Sequence, residues 1–156
     1  MRFTTRSEAD TMAFARRLSP MLAPGDTALL FGDLGAGKSV MARGIARGMG
    51  VEGPMPSPTF TLLAPYEGTA GRKLYHFDLY RLGDPEEYYA AGLDEFVGGD
   101  GVAVVEWPQM AALEPTPALE IAISRGADDQ MRRIEIENYG VAGYDPAALS
   151  EWRSEA

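Results

Sequence analysis

The sequence has few of the features that would place it outside the ordinary globular proteins. It contains no cysteine, which excludes disulfide bonds and thiolate metal sites within these 156 residues. It also has no run of about 18 apolar residues that could cross a membrane, and its first residues lack the apolar core of a secretion signal. We therefore expect a soluble cytoplasmic protein. The chain, residues 1–156, is long enough for a single domain, with a polar tail from about residue 141 that we expect to be peripheral.

Positive charge is also scarce. Fourteen Lys and Arg residues stand against 23 Asp and Glu residues, giving a formal net charge of −9. No basic cluster is longer than Arg132-Arg133, and an acidic surface repels the phosphate backbone of nucleic acids. This charge balance predicts no autonomous nucleic-acid binding, although a nucleic-acid pathway could be served through a protein partner.

The segment Gly32–Ser39 reads GDLGAGKS and matches the phosphate-binding loop, or P-loop, G-x-x-x-x-G-K-[ST]. Its glycines allow the backbone N–H groups to surround phosphate oxygens, and a following helix would add the positive end of its dipole. Lys38, one of only two lysines in the chain, would reach the β- and γ-phosphates. The hydroxyl of Ser39 would bind Mg²⁺.

The segments around this loop indicate the fold class. An apolar run at 27–31 predicts a buried strand before the loop, and the residues from 38 to 49 predict a helix after it. A second apolar run at 102–105 predicts another buried strand, and the alternating runs at 118–124 and 132–137 predict antiparallel strands. We expect an α/β, P-loop NTPase-like, three-layer fold with a mixed, centrally parallel sheet.

Local patterns predict several smaller elements. Ser7 is the predicted N-terminal cap of a helix. Pro20 lies within the pattern of that same helix and is expected to end or kink it. Gly44 and Gly48 are expected to let the helix after the P-loop pack close to the sheet. The runs 59–63 and 73–79 predict a hairpin.

Acidic residues at strand ends could complete a site around the loop. Glu106 directly follows the apolar run at 102–105, the position from which a P-loop protein holds or positions Mg²⁺; the alternative is an ordinary acid at a strand end. Asp78 is a second candidate, with its role left open. Strand alternation places it on the same face as His76, for which a hydrogen-bonded structural role is favoured.

Other candidates are less specific. Thr59 and Thr61 follow a proline-rich connector and resemble a loop that moves when a γ-phosphate and Mg²⁺ arrive. Arg81 and Arg132 could reach phosphates, but exposed arginines are common. Trp107 is expected in the core, with stacking beside Glu106 as the alternative.

Adenine is the favoured base, because the guanine-reading Asn/Thr-Lys-x-Asp motif is missing: the second lysine lies in Arg72-Lys73-Leu74-Tyr75. An ATPase is the favoured class. A nucleotide-dependent binding module and a small-molecule kinase with the same loop remain alternatives. A kinase would also need an acceptor pocket, which no stretch obviously supplies.

Four linked stretches together resemble the TsaE family, formerly called YjeE: Gly32–Ser39, Ser57–Leu62, Tyr75–Leu82 and Val105–Gln109. The resemblance spans roughly residues 7 to 137. It implies a P-loop fold and Mg²⁺-dependent ATP hydrolysis in the threonylcarbamoyladenosine modification of tRNA. It also implies that the protein acts through a complex with the proteins TsaB and TsaD, in which TsaD transfers the threonylcarbamoyl group.

The resemblance also assigns roles to residues. It implies catalytic roles for Lys38, Glu106, Asp78 and Thr59, and Mg²⁺ binding by Ser39 and Glu106. Ser39 stands where the family more usually has Thr, which keeps the hydroxyl. The residues implied to bind ATP are Glu8, Thr11, Asp33, Leu34, Gly35, Ala36, Gly37, Lys38, Ser39, Gln109 and Arg132.

Overall fold

The computed structural model describes residues 1–154. Within them the chain forms seven β-strands and three α-helices, interspersed with short 3-10 turns. In chain order the regular elements are β1 (Arg2–Thr5), α1 (Glu8–Leu18), β2 (Thr27–Phe31), α2 (Lys38–Gly48), β3 (Leu63–Glu67), β4 (Lys73–Asp78), α3 (Pro85–Ala90), β5 (Val102–Glu106), β6 (Ala118–Arg125) and β7 (Arg132–Tyr139). No helix in this part of the chain is long and apolar enough to cross a membrane.

The strands form one sheet in the order β1-β7-β6-β2-β5-β4-β3. The four central strands β6, β2, β5 and β4 run parallel, whereas β3, β7 and β1 pair antiparallel with their neighbours. The predicted mixed, centrally parallel sheet is therefore confirmed. Strands β2 and β5 lie at the centre because their apolar residues are suited to burial on both faces.

Alternation along the central strands feeds two separate layers of side chains. Leu30 and Val104 belong to a core that contains residues of α1 and α2. Val105 and Phe77 belong to a second core on the opposite face, which contains Tyr88 of α3. Helices on both faces of the sheet give the predicted three-layer architecture.

The first helix begins as predicted. The Ser7 side chain accepts a hydrogen bond from the Asp10 N–H at 3.0 Å, and the Asp10 carboxylate accepts one from the Arg6 N–H at 2.9 Å. These two bonds satisfy backbone donors that a helix start leaves free. The helix ends at Leu18, before a 3-10 turn that contains Pro20.

The two glycines of α2 lie against the first helix rather than against the sheet. A Cβ atom added to Gly44 would lie 2.4 Å from the Ala15 Cβ, and one added to Gly48 would lie 2.5 Å from the Ser19 Cβ. The expectation that these glycines approach the sheet was wrong. They allow α1 and α2 to pack against each other.

The predicted hairpin is present, but its first strand was misplaced. Residues 59–61 form a turn, and β3 begins at Leu63. The chain is diverted because the hydroxyl of Thr59 donates to Asp78 and because Leu62 takes a left-handed conformation with φ of 66°. The prediction of a strand over 59–63 was therefore wrong.

The first and last segments of residues 1–154 join the same edge of the molecule. Strand β1 pairs with β7, and the tail forms a 3-10 turn, Pro146–Trp152. Trp152 is buried against Phe14 of α1, with ring centroids 5.4 Å apart. The Ser154 N–H then donates to the Arg2 carbonyl at 3.0 Å.

Candidate functional site

The P-loop connects β2 to α2 along a backbone path that requires glycine at two positions. Gly37 precedes the first helical residue with φ of 112°, a value that residues with a Cβ atom rarely adopt. Gly32 passes so close to β6 that a Cβ atom there would lie 2.6 Å from the Ile123 carbonyl oxygen. These two glycines allow the loop to wrap over the start of α2, where backbone N–H groups and the helix dipole favour an anion.

Lys38 lies inside this loop. Its ammonium group donates to the carbonyl oxygens of Gly32 and Asp33, the second at 3.0 Å, and it sits 4.1 Å from the centroid of the Trp107 ring. Burial lowers the pKa of Lys38, against the opposing effect of the nearby carboxylates of Glu106, Asp78 and Asp33. The amine is therefore held where an incoming phosphate could replace the carbonyl oxygens.

The carboxylate of Glu106 faces the start of α2. Glu106 is the last residue of β5, in register with Leu30 of β2 and Asp78 of β4. The Ser39 hydroxyl donates to its Oε1 at 3.2 Å. The parallel register thus brings one acid and one hydroxyl together beside the P-loop.

His76 binds the other oxygen of the same carboxylate. Its Nε2 lies 2.6 Å from the Glu106 Oε2, and both side chains are almost completely buried. Within residues 1–154 its Nδ1 has no hydrogen-bond partner. The proton therefore belongs on Nε2, where the carboxylate accepts it, because a second N–H at Nδ1 would be buried without an acceptor.

The donors around Glu106 fit magnesium. Mg²⁺ prefers oxygen ligands and commonly uses only one or two protein groups besides phosphate and water. Ser39 and Glu106 would supply a hydroxyl and a carboxylate. In the described part of the chain, no group of three or more His, Cys, Asp or Glu side chains is arranged to hold a metal by itself, so a bound phosphate would have to complete the coordination.

Asp78 anchors the loop that precedes β3. The hydroxyls of Ser57 and Thr59 donate to its Oδ2 at 3.1 and 3.0 Å, and the Tyr80 N–H donates to its Oδ1 at 3.1 Å. Thr61 is exposed. Asp78 is therefore engaged with the loop and with the turn after β4, next to the strand that carries Glu106.

A small pocket lies on the other side of the P-loop. It has a volume of about 140 Å³ and is lined by Glu8, Thr11, Gly37, Val40 and Arg132, among others. The resemblance assigned four residues outside the loop to ATP binding. Three of them, Glu8, Thr11 and Arg132, lie in this pocket next to the start of α2. The pocket is thus adjacent to Gly37, the last residue before α2.

The remaining residues that the resemblance assigned to ATP binding do not share one environment. Within the loop Ala36 is buried, whereas Asp33, Leu34 and Gly35 are exposed. Gln109 is exposed in the 3-10 turn Pro108–Met110 and does not line the small pocket.

Two further candidates, Arg81 and Trp107, contact aromatic rings. Arg81 stacks its guanidinium 4.3 Å from the Phe60 ring centroid. Trp107 is half-buried in a left-handed conformation with φ of 57°, and its ring lies 4.9 Å from that of Tyr80.

The sequence reasoning missed Arg125. Its Nη2 would lie 2.9 Å from a Cβ atom on Gly35, so the guanidinium lies against the P-loop. The signal that could have found it is its position at the end of β6, the strand next to β2.

A large groove lies away from these groups. It is about 1100 Å³ in volume and runs over the half of the sheet formed by β6, β7 and β1, with Arg2, Arg133 and Glu135 in its lining. Its charges are partly paired, since Arg2 lies 3.8 Å from Glu135. The groove touches the P-loop only at Gly32.

Comparison with known proteins shows the family of this chain. The sequence model for the family described as "Threonylcarbamoyl adenosine biosynthesis protein TsaE" matches residues 5–134. The chain is 38% identical over 131 residues to the Bacillus subtilis "tRNA threonylcarbamoyladenosine biosynthesis protein TsaE", which covers 83% of this chain and 81% of that protein. The Treponema pallidum protein of the same name is 40% identical over 137 residues, covering 87% and 99%.

A solved structure is similar as well. The crystal structure of YdiB from Bacillus subtilis superposes with a TM-score of 0.71 at 32% sequence identity, covering 97% of this chain and 92% of that one. The matched residues 5–134 include the P-loop and the strand ends that carry Asp78 and Glu106. The chain therefore belongs to the TsaE family of tRNA threonylcarbamoyladenosine biosynthesis proteins.

Proposed function

We propose that this protein is a cytoplasmic, Mg²⁺-dependent ATPase required for the threonylcarbamoyladenosine modification of tRNA. The observation that carries the proposal is the contact between Ser39 and Glu106 beside the P-loop, 3.2 Å between the hydroxyl and the carboxylate. P-loop proteins hold Mg²⁺ with a hydroxyl at the start of the helix and an acid at the end of the strand that neighbours the P-loop strand in the sheet. Family membership supports the pathway.

The residues would divide the work as follows. The backbone N–H groups from Asp33 to Ser39 surround the phosphate chain, and Lys38 exchanges its carbonyl partners for β- and γ-phosphate oxygens. Ser39 and Glu106 would hold Mg²⁺, which would supply the charge neutralisation on which phosphoryl transfer mainly depends. His76 keeps the Glu106 carboxylate oriented toward Ser39.

Asp78 and Thr59 would act on the water that attacks the γ-phosphate. Asp78 lies beside Glu106 in the β4–β5 ladder, and its Oδ2 already accepts from Thr59. In the proposal the loop that carries Thr59 leaves this carboxylate when a γ-phosphate arrives, which frees Asp78 to position the attacking water. Gln109, exposed after Trp107, would line the rim.

The small pocket beside Gly37 supports a nucleoside at that position. Glu8, Thr11 and Arg132 lie in its wall, on the side of the loop away from the Glu106 carboxylate. We propose adenine as the base, in keeping with the absence of a guanine-reading motif from the sequence.

The protein would act on tRNA through partners. Its formal net charge of −9 disfavours direct contact with a phosphate backbone, so we propose contact with TsaB and TsaD, with the threonylcarbamoyl transfer performed by TsaD. ATP turnover here would drive or reset that complex.

ATP turnover with and without purified TsaB and TsaD tests this proposal. We expect slow turnover alone, stimulation by the pair, and formation of the modified nucleoside only when all three proteins and ATP are present. Glu106→Gln is expected to remove the stimulated turnover, whereas the matched control Glu95→Gln, an exposed acid, is expected to leave it unchanged.

Two outcomes would favour the alternatives. Transfer of the γ-phosphate to a metabolite, without binding to TsaB and TsaD, would identify a kinase. Full modification with Glu106→Gln, while ATP still binds, would identify a binding module whose hydrolysis is incidental.

A further inference from the structure

Two arginines face each other at the end of the β6–β7 hairpin. Arg125 is paired with Arg132 in the strand register, two positions beyond the pair Ile123 and Ile134. Both isoleucines belong to the core that contains α1 and α2. Because side chains two residues apart share a face, both arginines lie on the α2 side of the sheet. Like charges directly opposite each other destabilise a pair of strands.

Both guanidinium groups also lie against the P-loop. The Arg125 Nη2 would be 2.9 Å from a Cβ atom on Gly35, and the Arg132 Nε would be 3.4 Å from one on Gly37. The cross-strand register, together with the position of β6 beside β2, therefore puts two positive charges beside the loop that precedes α2.

This arginine pair has no ion-pair partner in the described part of the chain. Of the two acids in the connecting turn, Asp128 is engaged by the backbone: its carboxylate accepts from the N–H groups of Gln130 and Met131 at 2.8 and 2.9 Å. Asp129 offers its backbone carbonyl to the Arg132 Nη1 at 2.7 Å. In a chain with a net charge of −9, an arginine pair without a carboxylate is conspicuous.

We propose that Arg125 is a phosphate-binding residue that acts with Arg132 as a clamp on the polyphosphate chain of the bound nucleotide. This inference rests on the proposed function, since it extends the same nucleotide site. A phosphate between the two groups removes their repulsion, and each planar guanidinium offers a fork of donors that matches phosphate oxygens. Arg125 thereby adds a second cation to the one that Lys38 provides.

The test measures inorganic tripolyphosphate binding, because this probe has no base or sugar. Competition against a fluorescent ATP analogue gives its affinity for the wild type and for Arg125→Gln. We expect Arg125→Gln to weaken binding about tenfold or more, the cost of losing hydrogen bonds to a charged group. The salt dependence of binding should also become shallower.

Arg133→Gln is the matched control. It is also exposed, and it lies next to Arg132 on the opposite face of the sheet, so its tripolyphosphate affinity should equal that of the wild type. Without ligand, Arg125→Gln should be at least as resistant to thermal unfolding as the wild type, because it removes a like-charge contact.

The outcomes separate the clamp from the ATPase. Equal tripolyphosphate affinities for Arg125→Gln and the wild type, with binding lost in Lys38→Ala, would overturn the clamp and leave the proposed function standing. Weakened tripolyphosphate binding by Arg125→Gln, together with no ATP turnover by the wild type in the presence of TsaB and TsaD, would support the clamp and refute the ATPase. Absence of tripolyphosphate binding by the wild type would overturn the clamp, and absence of ATP turnover as well would overturn both.

Discussion

At the scale of single residues, the Glu106 carboxylate is the centre of the site. One of its oxygens accepts from Ser39 and the other from His76. The sequence could predict Glu106 and Ser39, because the P-loop motif and an acid after a buried strand are local patterns. It predicted a hydrogen-bonded His76 but not its partner, since that contact depends on the register of β4 against β5. Arg125 was missed for the same reason.

Replacing His76 tests its positioning role. His76→Ala leaves a buried carboxylate oxygen without its donor, which we expect to lower the free energy of unfolding by about 1–3 kcal/mol. Urea denaturation at neutral pH measures the change. His76→Gln, whose amide can still donate, should recover part of the loss. Equal stability of His76→Ala and the wild type would contradict the role assigned to this hydrogen bond.

Lys38 gives the folded protein a pH dependence of known sign. Burial lowers its pKa below the ordinary value of 10.5, so the unfolded chain holds this proton more tightly. The resulting cost to folding is full below the folded-state pKa and disappears as the pH rises through 10.5. We therefore expect the stability of Lys38→Met relative to the wild type to fall as the pH is raised from 7 to 10.

Urea denaturation of both proteins at several pH values measures this trend. The remaining titrating groups are common to both proteins, so their contributions cancel in the difference. A stability difference between the two proteins that stays constant, or that grows with pH in favour of the variant, would show that the Lys38 ammonium is not penalised by burial.

At the scale of elements, close packing of α1 on α2 fixes the start of α2 relative to the pocket that contains Glu8 and Thr11. The sequence identified both helices from their periodicity and caps. It assigned Gly44 and Gly48 to the wrong neighbour, because a pattern of small residues shows that something comes close without showing what. The prediction of a strand over 59–63 was wrong because Ser57 and Thr59 donate hydrogen bonds to Asp78, which lies on the second strand of the hairpin. These bonds override the local alternation.

Gly44→Ala separates packing from helix propensity. Alanine favours a helix over glycine by about 1 kcal/mol, yet its Cβ atom would lie 2.4 Å from that of Ala15 and 3.0 Å from the Met12 carbonyl oxygen. We expect a net loss of about 1–3 kcal/mol from overpacking, measured by urea denaturation.

Gly83→Ala is the control for that substitution. The nearest atom to a Cβ atom there is the carboxylate oxygen of Glu87, at 3.1 Å, and this flexible side chain can move away. Its stability should change little. A gain in stability from Gly44→Ala would mean that the two helices separate without cost.

At the scale of the whole molecule, the two ends of the described chain close one side of the sheet. Neither β1 nor the packing of the tail could be predicted from the sequence, because Phe3 pairs with Ile134 about 130 residues away. Local patterns carry no information about such distant contacts. The central α/β arrangement was predictable because its strands are continuous apolar runs joined by recognisable helices.

Trp152 tests how much the tail contributes. Its ring packs on Phe14, and its N–H donates to the Asp10 Oδ1 at 2.8 Å. We expect Trp152→Ala to cost about 3–5 kcal/mol through the cavity it leaves. Trp152→Phe, which loses mainly the hydrogen bond, should cost about 1 kcal/mol. Thermal and urea unfolding compare the two, and an unchanged stability for Trp152→Ala would contradict a structural role for the tail.

The central claim is that the P-loop, Ser39 and Glu106 together form a Mg²⁺–ATP site. The most direct test is calorimetric titration of ATP into the wild type and into Glu106→Gln, each with Mg²⁺ and with a chelator. We predict that Mg²⁺ strengthens ATP binding to the wild type, whereas Glu106→Gln binds ATP with nearly the same affinity under both conditions. An equal effect of Mg²⁺ on both proteins, or no binding of ATP to the wild type, would contradict the account.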